Sequence, residues 1–113
     1  MKNRAKSFAV RIIRLVEILP QTRTADLIGS RLLENSTAMG ANYMASYKAK
    51  SPEDFIEKMS IVEEMADKCI YWMELLVEAD LVDKDITDDL LREAQEIASI
   101  AVSSINTARG KRR

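Results

Sequence analysis

Between residues 86 and 105 the apolar side chains fall at Ile86, Leu90, Ala94, Ile97, Ala101 and Ile105, with Leu91, Ala98 and Val102 beside them. Steps of three and four place these residues on one face of an α-helix; a strand would need a period of two. The same spacing recurs at Phe8, Ile12, Leu15 and Leu19, widened by Ile13 and Val16. It returns at Leu27, Ile28, Leu32, Ala38, Met39, Asn42 and Ala45, and again from Phe55 through Met59, Val62, Ala66, Cys69 and Met73 to Leu76. Only three Gly and two Pro punctuate 113 residues, so the chain has few places to turn. Few long helices therefore fit better than many short strands. The expectation is an all-α, single-domain protein of four helices.

Local signals place the boundaries. Pro20 stops the first helix, predicted over residues 6–19, because the residue before a proline avoids the helical region. Thr24 is the expected N-cap of a second helix over 24–49, with Asp26 in its first turn. Ser51 caps the third, 51–79, followed by Pro52 at its first position and by Glu53 and Asp54 near the positive end of its dipole. Asp85 or Thr87 caps the fourth, 86–108, and Gly110 stops it. Lys111, Arg112 and Arg113 make a basic tail.

One stretch resists immediate placement. ENSTAMGANYMAS, residues 34–46, is small and polar between strong helical patterns. A phosphate-cradling turn would need several glycines after a strand, and here there is one glycine and no strand. Helical spacing runs through the stretch, so it belongs inside the second helix. Ser36, Gly40 and Asn42 then mark a place where helices come close. Trp72 or Tyr71 is the expected neighbour, with Ser36 and Thr37 bonding back to the preceding turn and Asn42 bridging helices.

The third helix carries two apolar stripes. One holds Phe55, Met59, Ala66 and Met73; the other holds Ile61, Met65, Trp72 and Leu75, continued by Ala79. A single bundle core accommodates the first. The second is expected to form an interface with another copy of the chain.

The net charge of −1 hides an asymmetry. Residues 1–50 hold nine Lys/Arg against three Asp/Glu; residues 51–113 hold eight against fifteen. The two halves can face each other within a bundle or between copies, or the basic half can serve nucleic acid. Candidate nucleic-acid contacts are Lys2, Arg4, Lys6, Arg11 and Arg14, with Arg23, Lys48 and Lys50 as additions. Histidine is absent, which removes His-based triads and the Glu-x-x-His di-iron site. The single Cys69 lies on an apolar stripe without a base and is expected to be a buried, inert thiol. Asp83, Asp85 and Asp88 lack the glycine and closing glutamate of a calcium loop. Glu63, Glu64 and Asp67 are expected to lie on a solvated or interface face rather than to pair as acid and base. No catalytic residue, metal or cofactor is predicted. The interrupted apolar stretch at the N-terminus does not read as a secretory leader. No run approaches the ~20 apolar residues of a membrane span. A membrane-surface role for the first helix would need the face that the core requires. Together these features suggest a cytoplasmic protein.

The three pieces Ser36 to Asn42, Ser51 to Lys58 and Tyr71 to Leu76 occur in the order and spacing seen in a known family. Its members show Ser-x-x-Ile-Gly-Ala-Asn, then Ser-Lys-x-Asp-Phe-Ile-x-Lys, then Tyr-Trp-Leu-Glu-Leu-Leu. Here Met39 replaces the Ile, Pro52 the Lys and Met73 the Leu. The chain thus resembles the 23S rRNA intervening-sequence proteins over most of its length. That resemblance implies an up-down bundle assembled into a ring, with a homopentamer favoured. It also implies a genomic setting among ribosomal RNA genes and a nucleic-acid partner or nucleic-acid enzyme, since a related bundle serves a reverse transcriptase. Relatives commonly carry glutamates where this chain has Ala45, Met65 and Ile70, so a shared polar site would be largely missing. The expected function is a non-enzymatic, homo-oligomeric scaffold or adaptor that binds RNA through its basic first half. The other class is a protein-interaction module with no nucleic-acid role.

Overall fold

The computed structural model describes residues 2–110, and of Lys2 only the backbone. The Lys2 side chain, Lys111, Arg112 and Arg113 lie outside the described residues. Four helices follow in order: α1 (Lys2–Glu17), α2 (Arg23–Ser46), α3 (Pro52–Glu78) and α4 (Lys84–Ala108). Each connection is five residues long. Connections that short force consecutive helices to lie side by side and antiparallel. The result is an up-down bundle about 46 Å long. Helix α1 packs on α2 and α4, and α3 sits diagonally opposite α1.

The core follows the predicted stripes. Phe8, Ile12, Leu32, Met39, Met59, Met73, Leu76 and Ile97 are its largest fully buried side chains. α1 begins four residues before the expected position. Ala5, 1% exposed, extends the stripe one turn upstream. It is too small to weigh in a hydropathy pattern, yet it fits where helices touch. On α4 the buried position falls on Thr87 and not on Ile86, which is 44% exposed. Val102 also faces solvent.

Three caps differ from expectation. The N-cap of α2 is Thr22, not Thr24: its Oγ1 accepts from the backbone N of Ala25 at 3.2 Å. Ala25, Ile28 and Gly29 make the first buried positions of this helix. α2 ends at Ser46, and residues 47–49 continue as tighter i→i−3 turns. α4 starts from Asp83, which makes no side-chain cap bond, and neither Asp85 nor Thr87 caps it. Thr87 instead donates to the carbonyl of Lys84 at 3.2 Å, which lets a hydroxyl sit in the core with a partner. Ser51 caps α3, its Oγ accepting from Asp54 N at 3.0 Å. At the other end of α3, Asp80 takes φ 60°. The N–H of Leu81 reaches the carbonyl of Leu76 at 2.9 Å and that of Asp80 the carbonyl of Val77 at 3.0 Å. This pair of bonds is the Schellman arrangement, which closes a helix with one left-handed residue.

Residues 34–46 are helical throughout, inside α2. Ser36 is buried and donates to Leu33 O at 3.4 Å; Thr37 donates to the same carbonyl at 2.6 Å. The neighbour of Gly40 is not Trp72 or Tyr71. A Cβ there would lie 3.7 Å from the carbonyl oxygen of Ala5, so Gly40 marks the crossing of α1. Asn42 does not bridge helices; its side chain donates to Ala38 O within α2 at 2.8 Å. Gly29 is the tighter approach, with Val16 Cγ1 3.1 Å and Leu19 Cδ1 3.3 Å from where its Cβ would sit.

Candidate functional site

The second stripe of α3 is neither buried nor free. Ile61, Met65, Trp72 and Leu75 are all half-buried, and Met65, Trp72 and Leu75 lean on the core. Part of the surface that the sequence reading left for another copy is thus covered within the chain by α2. The reason lies in Asn35. Trp72 Nε1 donates to Asn35 Oδ1 at 2.9 Å, and Asn35 Nδ2 donates to Met65 Sδ at 3.5 Å. A tryptophan N–H removed from water needs such an acceptor, and this one ties α3 to α2. Ala45, Met65 and Ile70, where relatives carry glutamates, are likewise half-buried.

Outside this tie a groove of about 670 Å³ opens between α2 and α3. Arg31 and Glu34 border it from α2; Glu64, Asp67, Lys68 and Tyr71 border it from α3. Tyr71 is 56% exposed and meets Trp72 edge to face, with ring centroids 5.0 Å apart. Two of the carboxylates are neutralised in place, Glu34 by Arg31 at 3.3 Å and Glu64 by Lys68 at 3.5 Å. Asp67 has no ion pair among the described residues. Sequence reading missed Arg31, Asn35 and Lys68. The available signal was the need of Trp72 for an acceptor, set against the polar i, i+4 pair Arg31 and Asn35 on one face of α2.

The basic candidates separate. Arg4 is committed within the chain: its guanidinium bonds Glu93 and Glu96 on α4. The bond to Glu93, then that to Glu96, pushes its pKa further above the usual arginine value. This is one place where the basic first half meets the acidic second half inside a single copy. Arg11 borders a shallow cleft with Asp89 and Glu93, beside the same acidic face. Arg14 is exposed further along α1, toward the end where α1 turns into α2. Lys6, Lys48 and Lys50 are exposed in the opposite half, where the first turns of α1 lie beside the last turns of α2. Lys50 sits beside Asp54, whose carboxylate is held below its usual pKa by Lys58 at 2.8 Å and by the Lys50 backbone N–H at 3.1 Å.

The remaining reactive groups offer little chemistry. Cys69 is fully buried, and burial pushes its thiol up to about 12, so no thiolate forms near neutrality. Glu63 borders a seam with α4, apart from the groove that Glu64 and Asp67 line. Asp88 is paired with Lys84 at 3.2 Å. No group of three or more His, Cys, Asp or Glu able to hold a metal forms among the described residues. No described helix is long and apolar enough to cross a membrane. The inner face of α1, from Ala5 to Leu15, is spent on the core, which takes away the face a membrane-surface role would use.

These features define a single-domain, all-α four-helix bundle. A family model described as 23S rRNA-intervening sequence protein matches residues 1–103, and the chain belongs to that family. It is similar to a solved structure from Bacteroides thetaiotaomicron VPI-5482, described as a protein of unknown function from the S23 ribosomal protein family. Identity is 29%, the alignment covers 92% of this chain and 96% of that one, and the TM-score is 0.85. No curated protein matches.

Proposed function

We propose that this chain is a non-enzymatic scaffold or adaptor in the cytoplasm that works as a homo-oligomer and engages RNA through the basic half of its bundle. The observation that carries the nucleic-acid part is positional. The antiparallel topology brings Lys6 of α1 into the same half as Lys48 and Lys50 of the α2–α3 turn, all exposed. The α3–α4 turn and the first turn of α4 at the other end carry Asp80, Asp83 and Asp85. A modest cationic patch gains strength by repetition, because several copies presented together raise effective concentration. The family resemblance favours five copies. Membership in a family described by its link to 23S rRNA supports an RNA partner or a nucleic-acid enzyme acting beside it.

Filter binding of structured RNA at low and moderate salt tests the proposal. Counterion release predicts micromolar binding that weakens steeply with salt. Changing Lys6, Lys48 and Lys50 together to Glu should abolish it without altering helicity. If wild-type protein at micromolar concentration shows no salt-dependent binding, the RNA role is wrong. A protein-interaction module with no nucleic-acid role then takes its place.

A further inference from the structure

The outer face of α1 and the α2–α3 groove are complementary surfaces of one chain that cannot meet within one copy. On α1, Lys6, Val10, Ile13 and Arg14 share the face turned away from the core, at positions i, i+4, i+7 and i+8. Val10 is 38% and Ile13 41% exposed, and neither Lys6 nor Arg14 has an ion pair among the described residues. The face is therefore an apolar ridge flanked by cations, with Glu17 at its far end as the one carboxylate on that face. The groove is its inverse. It presents the exposed ring of Tyr71 and the edge of Trp72, with Asp67 as the carboxylate left over once Arg31 and Lys68 have neutralised their neighbours. With three carboxylates against two cations, the groove disfavours phosphate and accepts a cation. A guanidinium fits best, bonding a carboxylate while stacking on an aromatic face.

We propose that Arg14, with Val10 and Ile13, of one copy seats in the α2–α3 groove of the next, Arg14 bonding Asp67 and lying over Tyr71. The occupant is a second copy because α1 packs on α2 and α4, diagonal to α3. The α1 of the same copy cannot reach the groove, while every copy presents both surfaces. Such a contact is heterologous, with groove and ridge both used once per copy, and it closes into a ring when the rotation allows. The inference rests on the homo-oligomer reading above and names the surfaces that make it.

Charge exchange tests it. The mass of the full chain is measured by light scattering coupled to gel filtration for wild type, Asp67→Arg, Arg14→Asp and the double variant, with circular dichroism as the folding control. Both positions are exposed, so each single variant should fold. Each should weaken association at least ~10-fold, because like charges are brought together in the contact. The double variant should recover assembly, since the pair is restored with its signs exchanged. An assembled wild type whose mass neither single variant changes overturns this interface while leaving the homo-oligomer reading intact. Failure of the double variant to recover also overturns the pairing of Arg14 with Asp67. A wild type of single-chain mass removes the homo-oligomer reading itself, and this interface with it.

Discussion

At Gly40 a single hydrogen stands where α1 crosses α2, and the distances give opposite outcomes for two substitutions. A methyl group would meet the Ala5 carbonyl at 3.7 Å, an ordinary contact. Gly40→Ala should therefore stabilise the fold by up to ~1 kcal/mol, the difference in helix propensity. Gly40→Leu must push α1 away and should cost ~1–3 kcal/mol. Denaturant melts of both variants check the pair, and a leucine variant as stable as wild type would mean that the crossing is misplaced. Cys69 gives a prediction in pH. Its folded pKa of about 12 lies above the ordinary 9.0, so the folded chain holds the proton more tightly. Stability from this residue is complete below about pH 9 and declines as pH rises towards 12. At pH 8 the native thiol should resist iodoacetamide for hours and react within minutes in denaturant. Rapid labelling of the folded protein would contradict its burial.

Among the elements, the tie between α2 and α3 makes the next test. Trp72→Phe keeps most of the apolar contact but removes the N–H that Asn35 accepts. The loss should be ~1 kcal/mol, typical of one hydrogen bond. Asn35→Ala should cost a similar amount, and the double variant less than the sum of both, because the two side chains act on one bond. Strict additivity would show that they are uncoupled. The same elements show what was legible beforehand. Helix number and core faces followed from periodicity, since Ile97 or Met73 is buried wherever the 3.6-residue turn repeats it inward. Caps were less legible. Thr22 and Thr24 are the same residue type two positions apart, and only packing at Ala25 and Gly29 decides between them. The run around Gly40 was readable as a close approach, but not what approached, because spacing along one helix does not say which helix lies across from it. For the same reason the groove bordered by Arg31, Asp67 and Tyr71 was invisible: it exists only once particular faces of α2 and α3 are side by side.

The whole molecule is polarised along its 46 Å length, with Lys6, Lys48 and Lys50 in one half and the acidic α3–α4 turn in the other. Arg4 already spends one cation on Glu93 and Glu96 inside the chain. Arg4 and Glu93 are half-buried and Glu96 is exposed, so solvent screens these pairs and they add little to stability; the polarity would act more on how copies approach than on how one copy folds. The exposed apolar side chains tell in the same direction. Val10 and Ile13 face outward on α1, Ile18 just beyond its end, and Tyr71 on α3. Association would cover them, and it would make the melting temperature rise with protein concentration. The most direct test is the mass of the wild-type chain in solution, measured by light scattering after gel filtration at tens of micromolar and at moderate salt. A scaffold built from repeated copies predicts a mass several times 12.8 kDa, with five copies as the leading number. A single peak at 12.8 kDa under those conditions would contradict it.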